Sequence, residues 1–273
     1  MSIFTTTARA IQLVNADESN NPFVLADNLA KSATISSTAV LSDGPVTNAL
    51  SGTTYDYWLP DTSLTFPSAT FDLGAPTLVT FLAIAANNIK DLGASVYLFG
   101  SNDNVTYTFV ASTAATSDVV ALRFSATYRY WLFGMDSHPP GASMYIGVLY
   151  LGREIIIPRR FYQGFSPVVV PTEVQLQSNV SVGGNLLGSS VIASGSRLSM
   201  DFANVEPVFI RSAAFKTFMK SFNRGAGFFT AWRPLKYPED VYYCWRDGAV
   251  ITPTNSGPRD LMSFGVAARV YDE

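Results

Sequence analysis

Turn residues cut this chain into short apolar segments, and that punctuation constrains its fold more than any other feature. Gly74-Ala75-Pro76, Asn87-Asn88, Asn102-Asp103-Asn104 and His138-Pro139-Pro140-Gly141 interrupt runs rich in aromatic and β-branched residues. The runs fall at residues 68–71, 78–85, 95–100, 107–111, 119–124, 128–133 and 146–151. Short strands with turn signals every ~8–15 residues are the mark of a β-sandwich. Several runs are apolar at both parities: Tyr97 and Phe99 against Leu98, then Tyr130 and Leu132 against Trp131 and Phe133. A strand with two apolar faces belongs at the centre of a stack or beneath a neighbouring domain.

A second region opens at Gly152-Arg153-Glu154 and passes through Pro158, Pro167 and Pro171, which break any regular pattern. Residues 173–182 then alternate polar and apolar with period two, as a half-exposed strand does, before Gly183-Gly184-Asn185 turns the chain. Strands are expected at 191–193, 197–202, 227–232, 241–245 and 261–270. One stretch has helical spacing. Ile210, Ala214, Phe218 and Phe222 recur every fourth residue, Pro207 suits a first turn, and Asn223 to Gly225 suit an exit. The sequence therefore predicts a helix over 207–223. Ahead of all this lies a polar arm, with a strand expected at 10–14.

Composition narrows the function classes. Among 273 residues, 14% are charged and 13% aromatic, with 19 Gly and 15 Pro, a mix that favours strands and turns. An aromatic share almost equal to the charged share also suits cover by other subunits. A net charge of −3 with no basic stripe argues against nucleic acid and anionic membranes as partners. The single Cys244 excludes an intramolecular disulfide and any zinc site with two thiolates. The start of the chain reads without a basic then apolar leader, and the apolar run at 78–86 is far short of the roughly 20 residues that span a bilayer. A soluble protein folded in a reducing compartment is expected.

Two resemblances add to this reading. Asn48-Ala49-Leu50-Ser51-Gly52, Trp58, Phe71-Asp72-Leu73-Gly74, Ser101-Asn102-Asp103-Asn104-Val105-Thr106-Tyr107-Thr108 and Arg129-Tyr130-Trp131-Leu132 occur in one order. That order resembles the discoidin, or coagulation factor 5/8 type C, domain over residues 22–152. The resemblance implies a galactose-binding-like jelly roll that takes ligands in loops at one end, with Trp58 and Trp131 as core anchors. Ser51 stands where the family often has Asp near a calcium loop, and the family's terminal cysteines are absent, so no calcium site is expected.

In the second half, Gly195-Ser196-Arg197-Leu198-Ser199-Met200-Asp201-Phe202, the helix, and Gly225-Ala226-Gly227-Phe228-Phe229-Thr230-Ala231-Trp232 follow one another. This order resembles the barrel-plus-helix domain of phage tail tube and distal tail proteins over 153–273. The expected fold is therefore mostly β: an arm at 1–21, a discoidin-like sandwich at 22–152, and a second β-barrel domain with one flanking α-helix at 153–273. The resemblance implies a structural component of a phage tail tip, made in the bacterial host cytoplasm and carried in the virion tail. It would form a hexameric ring, contact other tail proteins and display a carbohydrate-binding-like domain. The alternative is a host-surface glycan-binding module without a ring-forming role.

Catalysis finds little support in the residues. His138 is the only histidine and sits in a loop, Cys244 lies in an apolar strand, and Asp56, Asp61, Asp72, Asp91 and Asp103 mark turns as local caps do. No enzyme activity, cofactor or metal is expected. Candidate ligand contacts are Tyr55, Tyr57, Asn88 and His138; candidate contacts between subunits are Arg159, Arg160, Arg233 and Arg246.

Overall fold

The computed structural model describes residues 3–6, 20–37, 43–115, 117–161, 165–168, 173–257 and 259–271; the strand expected at 10–14 lies outside them. The chain is mostly β, with an antiparallel sandwich in its first half. The strands there are β1 (Ile3–Thr6), β2 (Phe23–Asn28), β3 (Thr34–Ser37), β4 (Ser68–Asn87), β5 (Ser95–Ser101), β6 (Thr108–Ala114), β7 (Val120–Asp136) and β8 (Ile146–Ile156). The second half continues as β9 (Glu173–Val180), β10 (Leu186–Val205), α1 (Pro207–Arg211), α2 (Ala213–Asn223), β11 (Phe228–Ala231), β12 (Val241–Arg246), β13 (Thr254–Asn255) and β14 (Met262–Val270).

Some expected strands fuse. Residues 68–71 and 78–85 belong to one strand, β4, because Gly74-Ala75-Pro76 makes a bulge rather than a turn. The pairing with β7 shifts between Asp72 and Thr77, Gly74 takes φ +80°, and its N–H donates to Asp72 Oδ1 at 2.7 Å. Likewise 119–124 and 128–133 are joined in β7. Side chains from both ends of β4 and β7 meet in one core with Trp58, Trp131, Phe133 and Leu149, so the sheet is folded over on itself.

Hydrogen-bonded neighbours run β6-β5-β7-β4-β8-β2-β11-β12-β14-β10-β9. This path is open, so among the described residues the pairings do not close the second half into the barrel expected from the sequence. α2 packs on these strands. Its Phe215 ring lies 4.9 Å from Phe264, and Phe218 and Phe222 lie 5.5 and 5.7 Å from Phe228. The helix covers the apolar face that opposing strands would otherwise have to seal. The expected helix over 207–223 is also two helices: Ser212 is extended, and its Oγ accepts the Phe215 N–H at 3.3 Å as the cap of α2.

A third core joins the halves. Phe23 and Leu25 of β2, Phe81, Ala83 and Ala85 of β4, Val148 and Tyr150 of β8, and Phe229 and Tyr243 of the second half pack together. Phe81, Ala83 and Ala85 face this junction while Leu82 and Ile84 face the sandwich core, so this part of β4 is buried on both sides. The face of β5 with Tyr97 and Phe99 is different. It is half-exposed and paved by ring contacts with Phe66 and Phe109. β8 runs without interruption past residue 152, and β2 pairs with β8 on one side and β11 on the other.

Candidate ligand-binding site

The loop at 51–58 is built from short-range polar contacts. It follows a 3-10 turn at Val46–Leu50, whose Asn48 Nδ2 donates to the Tyr57 carbonyl at 3.0 Å. Ser51 Oγ accepts the Thr53 N–H at 3.1 Å and lies 2.7 Å from Thr53 Oγ1, which donates to Asp56 Oδ2 at 3.3 Å. Trp58 is fully buried and bridges Ile146 through N–H to carbonyl bonds of 2.8 and 3.0 Å. Buried at one end and closed by hydroxyls at the other, the loop holds Tyr55 outward at 73% exposure, with Tyr57 at 36%.

Tyr57 does not stand alone. Its ring centroid lies 4.7 Å from that of Tyr145, at an interplanar angle of 57°. A Cβ on Gly147 would meet Tyr57 Cδ1 at 3.3 Å and Ala86 Cβ at 2.9 Å, so the glycine gives the ring its seat. Asn88 organises the same loop: its Oδ1 accepts the Tyr145 N–H at 2.9 Å and its Nδ2 donates to the Ser143 carbonyl at 2.7 Å. Asn88 is thus a clamp that sets Tyr145. His138 stands on the neighbouring stretch that Thr62 pins through its Oγ1 bond to the Ala142 carbonyl at 2.6 Å, and its Nδ1 lies 3.3 Å from the Pro139 carbonyl. The structure therefore brings Tyr57 and Asn88 together on Tyr145. His138 has its hydrogen bond within its own loop.

The second half supplies the floor. Tyr243 OH donates to the Gly52 carbonyl at 2.6 Å, and Tyr150 OH donates to the Gly227 carbonyl at 2.9 Å. Gly52 takes φ +84°, and a Cβ there would meet Tyr150 OH at 3.1 Å. Burial pushes the pKa of both phenols up, so each stays a protonated donor at any ordinary pH.

The turn carboxylates act locally. Asp61 accepts the Ser63 N–H at 3.0 Å, and Asp72 holds Gly74 and also Arg129 through two bonds of 2.8 Å. Among the described residues, no group of three or more His, Cys, Asp or Glu could hold a metal ion. No helix there is long and apolar enough to cross a membrane. Cys244 is buried in β12.

Two of the four candidate interface arginines make side-chain bonds within their own chain. Arg159 Nε donates to the Asn204 carbonyl at 3.0 Å, and Arg246 donates to the Asn223 carbonyl at 2.7 Å, at the C-terminus of α2 where a cation is favoured. Arg233 is half-buried, and its carbonyl accepts N–H groups from Lys236 and Tyr237. Arg160 is exposed. Sequence reasoning missed Tyr145, Asn48 and the hydroxyl floor. For Tyr145 a signal existed, since it alternates with buried Met144 and Ile146.

No family model matches the chain, and no curated protein matches it. Solved structures do. Chitosan-binding module 1 of a chitosanase/glucanase from Paenibacillus sp. IK-5 aligns at a TM-score of 0.41 and 15% identity, over 46% of this chain and 99% of that one. Module 2 of the same enzyme, solved with chitotriose, aligns at 0.41 and 12% over 46% and 100%. A Clostridium perfringens module, CpGH89CBM32-5, in complex with GalNAc-β-1,3-galactose, aligns at 0.40 and 13% over 46% and 100%. At these scores the likeness is to a fold over less than half of the chain, and nothing further is drawn from it.

Proposed function

We propose that this chain is a non-catalytic binding protein whose loop end takes a glycan, with Tyr55, Tyr57 and Tyr145 as the platform for a sugar face. The observation that carries this reading is the Tyr57–Tyr145 pair, 4.7 Å apart and set by Asn48 and Asn88 beside the exposed Tyr55. Aromatic rings bind the apolar faces of sugar rings, and phenolic hydroxyls reach the sugar's own hydroxyls. A platform fixed before the ligand arrives loses little freedom on binding. Chitotriose and GalNAc-β-1,3-galactose, the sugars present in two of the solved modules, are the first ligands to test.

Titration calorimetry against these sugars should give saturable binding. Tyr57→Ala should weaken it about tenfold, the equivalent of ~1.4 kcal/mol. A glycan array without hits, or wild-type affinity in Tyr57→Ala and Tyr55→Ala, would sink the reading. The proposed setting is display from the tip of a phage tail, which the resemblance of the second half implies. The junction core fixes the loop end to the rest of the chain. Failure of antibodies against the chain to label tails would remove the setting and leave the binding untouched.

A further inference from the structure

β9 and residues 186–195 of β10 form a ribbon that leaves the body of the protein, paired from Glu173↔Gly195 to Leu186↔Val180. Residues 174–180 and 182–194 are exposed. The sequence pattern predicts one open face here; the structure leaves both faces open. At the root burial returns at once, with Gly195 and Ser196 enclosed and Leu198, Met200 and Phe202 in the second core. Ion pairs fix that root: Glu173 lies 2.9 Å from Arg197 and 3.3 Å from Arg269, and Arg197 lies 2.6 Å from Asp247. The ribbon projects from a packed, ion-paired root.

Its chemistry is unusual for an exposed segment. From Val174 to Gly195 there is no charged residue and no proline. Cross-strand pairing puts Val174, Leu176, Val180, Leu186 and Val191 on one face, and Gln175, Gln177 and Asn179 on the other. Leu176 is 58% exposed and Leu186 68%. A lone two-stranded ribbon is marginal in water, and natural proteins guard open edges with Lys, Pro or a covering element. Among the described residues neither edge has such a guard. Among the described residues β9 pairs only with β10, and residues 186–195 pair only with β9.

We infer that this ribbon is a self-association surface, its open edges taking the ribbons of further copies of this chain as added strands. Each copy offers both a β9 edge and a β10 edge, so it carries both halves of the contact. A β9 edge set against a β10 edge is a heterologous contact, which closes into a ring where the rotation between copies allows and otherwise runs on as a filament. No charge opposes the approach. Counted over both faces and the turn, the ribbon's exposed apolar residues offer on the order of 800 Å², about what each partner gives to a standard interface. This inference stands on the ribbon alone and needs neither the sugar nor the tail.

Gel filtration with light scattering should give the full chain a mass of several copies. Leu176→Lys combined with Val180→Lys should return single chains, weakening association on the order of 100-fold or more by burying unpaired ammonium groups. Both side chains are exposed in the single chain, so its circular dichroism and melting temperature should not move. Should that variant misfold, hydrogen exchange of the wild type decides: ribbon amides should be protected at high concentration and exchange faster on dilution. A wild type that stays single at its highest soluble concentration overturns the inference. An assembly whose ribbon amides exchange freely also overturns it. So does a single chain that floats with phosphatidylcholine–phosphatidylglycerol vesicles, which would make lipid the occupant.

Discussion

At Asp103, one carboxylate oxygen collects the N–H groups of Thr106 at 2.8 Å and Val105 at 2.9 Å and the Ser101 hydroxyl at 2.8 Å. These donors, led by the Thr106 N–H, pull its pKa from 3.8 to about 2. Because the folded value is the lower one, the ionised carboxylate stabilises the turn in full above 3.8, and the gain is lost as pH falls towards about 2. A carboxyl titration by NMR should place Asp103 near 2, and Asp103→Asn should flatten the pH dependence of the denaturation midpoint across that window. A normal titration would refute the account. Contacts of this kind were legible in the sequence, because an Asp in a turn finds its partners two or three residues away. The bond from Tyr243 to Gly52 was not, since its ends lie 191 residues apart.

At the scale of elements, periodicity found the helical stretch and missed its break. Ile210, Phe218 and Phe222 keep the spacing on both sides of Ser212, so the apolar stripe does not register an extended residue between them. The signal was the serine itself, three residues before Phe215 in the manner of a cap. Ser212→Ala should cost about 1 kcal/mol in urea denaturation, and Ser212→Asp should restore most of it. An unchanged midpoint in the alanine variant would mean the cap contributes nothing. Turn residues misled in the other direction. Gly74-Ala75-Pro76 reads as the end of a strand, yet a bulge absorbs all three and lets β4 run on to Asn87.

For the molecule as a whole, two apolar faces on one strand signalled a neighbour but could not name it. In β4, Phe81, Ala83 and Ala85 point into the core shared with Phe229 and Tyr243. Nothing in the local pattern around 81–85 specifies residues so far along the chain; only the crossing of β2 between β8 and β11 brings them together. Joined through buried surface, the halves should unfold as one. Phe81 is 1% exposed, and Phe81→Ala should cost about 3–5 kcal/mol and lower the melting of the whole chain in a single calorimetric transition. Two separated transitions would show that the shared core does not couple the halves.

The hydroxyl of Tyr243 under Gly52 also bears on how this protein can be dissected. A fragment that ends where the sandwich motifs end would keep every tyrosine of the loop end and lose the support beneath it. Under the proposed function, affinity measured on such a fragment would report a loosened loop and understate the intact protein. The loop end of this chain is, in mechanical terms, shored up from its other half.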